Sequence, residues 1–418
     1  MKDITEELQA QIDHASLTNG QVITPAGEYL VGAIFIKSHV HFVLSAETTL
    51  YGSPKLTDYP AFHNRVAGVD MDWPAAILNV VEAKNVVISG TGKIDGQGAH
   101  WWRKFWGEDE KSGMMADYAQ KGLRWAADYD CKRPRNILVY RSQGVEIKGI
   151  HSEQSGFWNT QVTYAKDVLI DGIHIINSKG PSTDGIDIDS SENVIVQNVY
   201  VSCNDDNICI KAGRGKEARE NQTICRNIII RDCHLGKGSG ITIGSETSGG
   251  IEDIQIQRIQ FDGTGVGFRI KSANDRGGFI RKIAVSDLNM KNVQFPFLIQ
   301  TDWYPEYSYA TIPHGYQGEI PDYWYKLVGT SNYSIGPARV TDISIEQVSV
   351  VNDPKSSRSR AFFIEGNVSA PIEQLRFKDV TIEAYEYGKI SGVNQMDFQK
   401  VAVTALEVTT GENDVYER

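Results

Sequence analysis

A short phrase of alternating apolar residues, bounded by polar or glycine positions, recurs along most of the chain. Its nine copies run from Asn85–Gly90 to Gln374–Asp379, and the steps between their first apolar residues are 59, 23, 26, 34, 26, 29, 60 and 32. Short period-two strands without intervening helical patterns do not indicate βαβ units. A period of about 25–30 residues is typical of solenoids. We therefore predict an all-β fold, a single-stranded right-handed parallel β-helix with coils ~4.8 Å apart.

Three segments depart from this rhythm. Residues 5–15 read as an amphipathic helix, within a capping segment 1–20 that covers the open end of the first coil. The Trp-rich stretch 100–135 predicts an excursion over one face, and each of the two long steps predicts either a weakly marked coil or a large insertion. No linker is evident, so we predict one catalytic domain over residues 1–418. A β-sandwich is the structural alternative, but it gives no reason for the repeated phrase.

A second strand recurs just downstream of the phrase in the central coils. Aligning Ile186, Ile208, Ile241 and Phe268 places these four residues on the inward row, because side chains alternate between the two faces of a strand. The outward positions that follow are Asp187, Cys209, Thr242 and Arg269, and then Asp189, Lys211, Gly244 and Lys271.

Charged residues gather at the edge of this second strand. Asp184 and Asp206 each precede the inward row by two positions, so they should stack on adjacent coils roughly 5 Å apart. Asp205 lies beside Asp206, and Lys237, Arg269 and Lys271 follow on the next coils. A solvated ladder of charges is the alternative interpretation, but stacked like charges cost stability when they have no use. The pattern predicts three acids and three bases on one exposed strip.

Inverting glycoside hydrolysis needs such a set of carboxyl groups. One carboxylic acid protonates the leaving oxygen, and carboxylate on the opposite side activates water. Clustered aspartates raise one another's pKa, which keeps the acid protonated. A paired Arg and Lys would bind a carboxylated sugar, so we predict an acidic polysaccharide as the partner. The chemistry requires no cofactor and no metal.

Composition narrows the other classes of partner. The chain has 53 acidic and 42 basic side chains and a net charge of −11, which argues against binding to nucleic acid. No run of about 18 apolar residues is present, so we predict no membrane span. The polar start has no signal-peptide core, so the protein is expected to be cytoplasmic, or secreted with its signal removed. The oligomeric state stays open.

At these residues the sequence resembles glycoside hydrolase family 28, the polygalacturonase family. That family carries Asn-Thr-Asp, Asp-Asp, Gly-His-Gly and Arg-Ile-Lys motifs on a parallel β-helix. The corresponding runs here are Ser182-Thr183-Asp184, Asp205-Asp206, Gly236-Lys237-Gly238 and Arg269-Ile270-Lys271. The Gly-Ser-Glu-Thr-Ser-Gly-Gly run at 244–250 is also similar.

The resemblance implies hydrolysis of α-linked galacturonic acid in pectin. By that resemblance Asp205 is the general acid, and Asp184 and Asp206 hold the attacking water. Arg269 and Lys271 would bind the galacturonate carboxylate, with Tyr304 as a further substrate contact.

Two departures from the motifs are expected to matter to different degrees. Ser182 replaces Asn, which is mild. Lys237 replaces His, which titrates near neutrality where Lys does not, so we expect Lys237 to bind substrate. The change admits neighbouring polymers such as rhamnogalacturonan. Long loops on a scaffold are usually functional, and here the Trp101–Trp125, Arg214–Glu220 and Trp303–Trp324 segments favour exo action by closing one end of the cleft.

Two other functions stay open at this point. In a pectate-type lyase the aspartates would hold Ca²⁺ and a basic residue would abstract a proton. A non-catalytic β-helix would bind carbohydrate without cleaving it.

Overall fold

The computed structural model describes residues 1–221, 223–328, 335–353 and 358–407. Within them, 29 strands join into one large sheet whose pairings are parallel. This sheet winds into the right-handed parallel β-helix that the sequence predicts. A separate antiparallel hairpin is formed by β7 (Ala61–Val66) and β8 (Val69–Pro74).

The strands stack as three ladders, numbered here in chain order. The first ladder carries the repeated phrase and contains β2 (Gln21–Ile23), β5 (His41–Leu44), β10 (Lys84–Gly90), β13 (Gln143–Lys148), β16 (Lys166–Asp171), β19 (Glu192–Gln197), β22 (Cys225–Leu235), β24 (Ile251–Asp262), β26 (Phe279–Lys291), β28 (Arg339–Val351), β30 (Ile372–Ser391) and β31 (Val393–Glu407). The second contains β1 (Lys2–Asp3), β3 (Gly27–Val31), β6 (Thr48–Gly52), β11 (Lys93–Asp95), β14 (His151–Glu153), β17 (His174–Ser178) and β20 (Tyr200–Cys203), and continues on the long strands from β22 onward. The third contains β4 (Ile34–Phe35), β9 (Leu78–Val81), β12 (Ile137–Tyr140), β15 (Thr160–Thr163), β18 (Ile186–Asp189), β21 (Ile208–Lys211), β23 (Ile241–Ile243), β25 (Val266–Lys271), β27 (Phe295–Gln300) and β29 (Arg360–Glu365).

The polar ends of the repeated phrase are corners of the coil. Non-glycine residues at these corners lie in the left-handed region of backbone conformation, which Asn and Asp tolerate better than most residues. They have φ between 53° and 58° and are Asn85, Asp167, Asn193, Asn198, Asn227, Asp232, Asp253, Arg258, Lys282, Asp287, Asp342, Gln347, Gln374 and Asp379. The phrase therefore repeats because each coil needs the same two bends around one short strand.

Both long steps are insertions. Val86 pairs directly with Val145, and Ile283 pairs directly with Ile343. The alternative of a weakly marked coil in either gap is wrong. The extra residues leave the helical path and form most of the α-helices, whereas the hairpin is a separate excursion between β6 and β9.

One helix lies at the first coil, one lies between β21 and β22, and the others lie in the two insertions. Helix α1 (Thr5–Ser16) matches the predicted cap, and it buries Leu8, Ile12 and Ala15 against the end of the main core. The others are α2 (Gly98–Trp106), α3 (Met114–Gln120), α4 (Ala127–Asp130), α5 (Lys216–Glu220), α6 (Pro305–Ser308) and α7 (Asp322–Val328), with single 3₁₀ turns at Leu56–Asp58 and Arg124–Ala126. No helix in the described ranges is long and apolar enough to cross a bilayer.

The insertions pack on one another as a second core outside the third ladder. Trp73, Trp125 and Trp324 come from three different insertions and share this cluster. The Trp125 indole donates to the Thr311 carbonyl at 2.9 Å, and its ring centroid lies 5.2 Å from that of Trp324. The excursion predicted at 100–135 is therefore joined to the 303–328 segment over one face of the β-helix. The assignment of all 418 residues to one domain stays a prediction.

Candidate active site

The inward row that the sequence predicts on the third ladder is confirmed. Ile186 pairs with Ile208, Ile208 with Ile241, and Ile241 with Phe268. The outward positions follow in the same register, so Asp187, Cys209, Thr242 and Arg269 form the next row. Because parallel strands here carry equivalent residues in register, side chains 80 residues apart in sequence meet on one face.

This face is not the exposed strip that the sequence predicts. Asp187 and Thr242 are fully buried, and Arg269 and Lys271 are only 4% and 5% exposed. The insertions cover the face and leave a cavity of about 450 Å³ over it. Residues from both the β-helix and the insertions line the cavity: Ala67, Phe105, Trp106, Met115, Arg124, Asp128, Phe157, Trp158, Pro181, Ser182, Asp184, Asn204, Asp205, Lys211, Ser239, Ser245, Glu246, Arg269, Lys271, Trp303, Tyr304 and Tyr307.

Asp206 lies beneath the cavity as the centre of a buried ion cluster. Its carboxylate pairs with Arg269 and lies 2.9 Å from the Lys271 Nζ. The Thr242 hydroxyl donates to it at 2.8 Å and accepts from the Arg269 Nε at 3.0 Å. Burial acts to raise the pKa of Asp206, but the cations around it, Arg269 first, hold that pKa well below its usual range. Asp206 is therefore a fixed carboxylate.

Asp205 lies next to this cluster but faces the cavity. It is half-buried, and one of its carboxylate oxygens accepts from the Asp206 backbone N–H at 3.0 Å. Burial, and after it the charge of Asp206, raise the pKa of Asp205. The pKa values of two neighbouring aspartates are thus shifted in opposite directions, up for Asp205 and down for Asp206.

Asp184 stands one coil away, at the register position predicted for it. The Gly185 N–H donates to the Asp206 carbonyl at 2.9 Å, which fixes the two coils at this edge. Asp184 is buried and lines the cavity. Burial, with the charges of Asp187 and Asp205, raises the pKa of Asp184 well above its usual value.

Lys211 and Glu246 complete the floor, and the sequence analysis assigned them no role. The Lys211 Nζ lies 3.1 Å from Glu246, 3.6 Å from Asp187 and 4.0 Å from Asp184. Burial acts against the charge of Glu246, but Lys211 and other cations lower its pKa to about 2. The available signal was that Lys211 follows Asp189 in the outward row, while Glu246 lies in the 244–250 run.

A hairpin outside the β-helix closes the floor beside Glu246. At the turn between β7 and β8, Ala67 has φ 42° and Gly68 has φ 81°. A Cβ at Gly68 would lie 2.6 Å from the Glu246 Cγ, so only glycine fits there. Arg65 on the same hairpin pairs with Asp70 at 2.6 Å and reaches Asp189 at 3.4 Å. These contacts hold the hairpin against the third ladder.

Aromatic rings form the walls of the cavity. The Lys211 ammonium lies 4.7 Å from the ring centroid of Trp158, and the Lys271 ammonium lies 4.5 Å from that of Trp303. Tyr304, predicted to contact substrate, lines the cavity beside Tyr307, and their stacked rings have centroids 6.2 Å apart. Charged groups between ring faces are typical of a site that binds a polar ring with an apolar face.

Lys237 lies outside this cavity. Its side chain is exposed and is not among the residues that line the cavity. Its carbonyl accepts from the Cys203 N–H and from the Asn207 side chain, each at 2.9 Å. The structure therefore brings together Asp184, Asp205, Asp206, Arg269, Lys271 and Tyr304. It leaves Lys237 outside this group, and a role of Lys237 in binding stays a prediction.

One group of side chains in the described residues has the spacing of metal ligands. Ligand atoms of Asp184, Asp206 and Cys209 lie within 4.8 Å of one another. Asp206 is already paired with two cations, and burial raises the pKa of the Cys209 thiol well above its usual value. A cation-rich floor and a neutral thiol do not suit Ca²⁺, which prefers several oxygen ligands.

Fold and site together define a β-helical protein with a carboxyl-rich cavity roofed by insertions. Residues 16–316 match the family model described as glycosyl hydrolases family 28, and the chain belongs to that family. The resemblance found in the motifs is thereby confirmed.

Several relatives are similar over long stretches of the chain. A polygalacturonase of Ralstonia nicotianae is 37% identical over 75% of this chain and 62% of its own length. An exo-poly-α-D-galacturonosidase of Dickeya chrysanthemi is 25% identical over 96% and 68%, and a probable polygalacturonase of Vitis vinifera is 27% identical over 68% and 56%. The chain thus spans between 56% and 68% of the length of these relatives.

A solved structure has the same fold. The exopolygalacturonase of Thermotoga maritima superposes with a TM-score of 0.77, at 22% identity, covering 96% of this chain and 88% of that one. At this level of identity the likeness supports the β-helix alone.

Proposed function

We propose that this chain hydrolyses the bonds of α-linked galacturonic acid in pectin, inverting the anomeric carbon and removing sugar from one end of the polymer. Asp205 acts as the general acid. Asp184 and Asp206 hold the attacking water. Arg269, Lys271 and Tyr304 contact the sugar. The acidic polysaccharide is the partner, and oligogalacturonides are its smallest form.

The opposite pKa shifts of two adjacent aspartates carry this proposal. Glycoside hydrolysis needs one carboxyl group that stays protonated and one that stays ionised. The raised pKa of Asp205 suits the first role. The lowered pKa of Asp206 suits the second, because its cations stabilise the ionised form. Asp184 and Asp205 line one cavity, and Asp206 lies beneath it.

Exo action is supported by the insertions. Helices α2–α4 and the 303–307 segment line the same cavity as the aspartates, so the insertions partly enclose the site. A pocket accepts a chain end more readily than the middle of a polymer. The relative from Dickeya chrysanthemi described above is named as an exo-acting enzyme.

Product analysis tests the proposal. The protein is incubated with polygalacturonate, rhamnogalacturonan and trigalacturonate, and products are separated by anion-exchange chromatography over time. We expect the smallest product to appear from the first time point, with little early loss of polymer length. The matched control is Asp205→Asn, which should release product at least about 10²-fold more slowly. A range of long oligomers at early times would contradict exo action. A product that absorbs in the ultraviolet and is lost with chelator would indicate a lyase and overturn hydrolysis.

A further inference from the structure

Arg124 reaches the cavity from an insertion, on the 3₁₀ turn between α3 and α4. Its side chain is 18% exposed and lines the cavity with Asp184 and Asp205. The guanidinium carbon lies 5.8 Å from the ring centroids of both Tyr304 and Tyr307, and 5.9 Å from that of Phe105. Three rings therefore fix the position of this cation before any ligand binds.

The carboxylate that holds Arg124 is shared. Asp128 accepts from the Arg124 Nη1 at 3.2 Å and from the Arg133 Nη2 at 3.4 Å. In the part of the chain that the structure describes, it is the one carboxylate paired with either arginine. Two positive charges thus share one negative charge at this wall.

Arg124 and Arg133 differ in how many of their N–H donors are hydrogen-bonded to protein acceptors. Arg133 is fully buried and also donates to the carbonyls of Cys131 and Pro181. Among the described residues, the Arg124 guanidinium donates only to Asp128. A guanidinium has five N–H donors, so most of those on Arg124 have no protein acceptor. The surplus charge and the open donors are therefore both on the residue that faces the cavity.

The anchor of Arg124 is tied to the proposed catalytic edge. The Ser182 hydroxyl donates to Asp128 at 2.7 Å, and Ser182 precedes Asp184 by two residues. Arg269 and Lys271 also line the cavity, in contact with Asp206. The cavity thus has two cationic groups. Arg269 and Lys271 are paired with Asp206, whereas Arg124 shares a single carboxylate with a second arginine.

We propose that Arg124 binds the carboxylate of a second uronate residue of the substrate, in a subsite that the 98–130 insertion supplies. This inference rests on the proposed function. A planar guanidinium matches a carboxylate by two parallel hydrogen bonds. Arg124 then determines specificity for a substrate with at least two acidic sugars, and it takes no part in bond cleavage.

The test uses trigalacturonate and three derivatives, each methyl-esterified on one sugar. Arg124→Met should raise KM for trigalacturonate about 10- to 100-fold, since a hydrogen bond between charged groups is lost, with kcat changed far less. Arg124→Lys should recover part of the loss because it restores the charge without the fork. For the parent protein, KM should be raised to a similar degree with one of the three monoesters. With that same monoester, Arg124→Met should raise KM no further.

Two controls separate this inference from its alternatives. Arg103→Met removes an arginine of the same insertion that is 57% exposed and pairs with Glu108, and it should leave kinetics unchanged. Calorimetry on the Asp205→Asn protein, with and without Arg124→Met, measures Kd for trigalacturonate in the absence of turnover. The difference in Kd gives the contribution of Arg124 to binding. Equal losses on all four substrates would mean that Arg124 only packs the wall and would overturn the inference. A parent protein that binds trigalacturonate through Arg124 but does not cleave it would overturn the proposed function alone.

Discussion

Replacing Asp206 with Asn separates its charge from its shape. Asn is close to the same size and its amide oxygen can still accept from Thr242, as the carboxylate does at 2.8 Å. The negative charge that faces Arg269 and Lys271 is lost. Both cations are nearly fully buried, so the substitution leaves them without their partner at a site with little water.

The expected cost follows from that burial. Removing one partner of a buried ion pair costs about 3–5 kcal/mol, because the remaining charge stays desolvated. We expect the lower end of this range. Asp205 lies beside the cluster, and the charge of Asp206 contributes to its raised pKa. Without that charge Asp205 ionises more readily and returns part of the lost compensation.

Equilibrium unfolding in guanidinium chloride, followed by tryptophan fluorescence, measures the difference in free energy of unfolding between the parent and Asp206→Asn. The pH dependence of that difference shows whether the charge of Asp206 causes it. The pKa of Asp206 is lowered from an ordinary value of 3.8. Its stabilising contribution is thus fully present above that value and is lost as pH falls through the lower, folded-state pKa. The difference between parent and Asp206→Asn should be constant near neutral pH and shrink in strong acid.

A surface pair provides the control. Asp253 lies 3.4 Å from Lys282, and both side chains are substantially exposed, so Asp253→Asn should cost no more than about 1 kcal/mol. Asp206→Asn with the stability of the Asp253→Asn control at neutral pH would refute the reasoning. So would a difference that grows as pH falls.

Three further predictions concern the reaction and the role of Lys237. Asp205→Asn should lower kcat by at least about 10²-fold while the unfolding midpoint stays close to the parent, as release of reducing ends and denaturation together will show; near-parent turnover would remove Asp205 as the acid. With an α-linked galacturonide, NMR of the first-formed sugar should show the β-anomer, since water attacks directly; an initial α-anomer would require a covalent intermediate instead. Lys237→Ala should raise KM by only a few-fold, because an exposed ammonium is screened by salt, and a loss comparable to that of Arg124→Met would place Lys237 inside the site.

Much of the β-helix could be predicted from the sequence, because its repeat is local. Each coil needs one alternating strand and two left-handed corners, so Asn85, Gly144, Asp167 and Asn193 stand at equivalent places on four successive coils. The register of the third ladder followed for the same reason. Once Ile186 is aligned with Ile208, the period-two alternation fixes every outward residue around them.

The aspartates of the candidate site were within reach of the same reasoning. Asp184 and Asp206 are equivalent positions on adjacent coils, and Asp205 precedes Asp206 directly. Arg269 was placed in the correct row as well. Its ion pair with Asp206 was not predicted, because alternation gives the direction in which a side chain points and not the groups that cover it.

The tertiary structure decided everything that depends on the insertions. The 59-residue step from Val86 to Val145 could contain another coil or an insertion that covers the third ladder. Which of the two forms depends on which apolar side chains pack against one another. Here Trp125 and Trp324 meet at 5.2 Å although 199 residues separate them. That roof turns an exposed strip into a buried floor, shifts the pKa values of its carboxyl groups, and brings Arg124 to the cavity. The sequence by itself determined the coils, since their order is set by neighbours along the chain. Only long-range packing determined the cavity, because burial and charge compensation depend on contacts that no local pattern records.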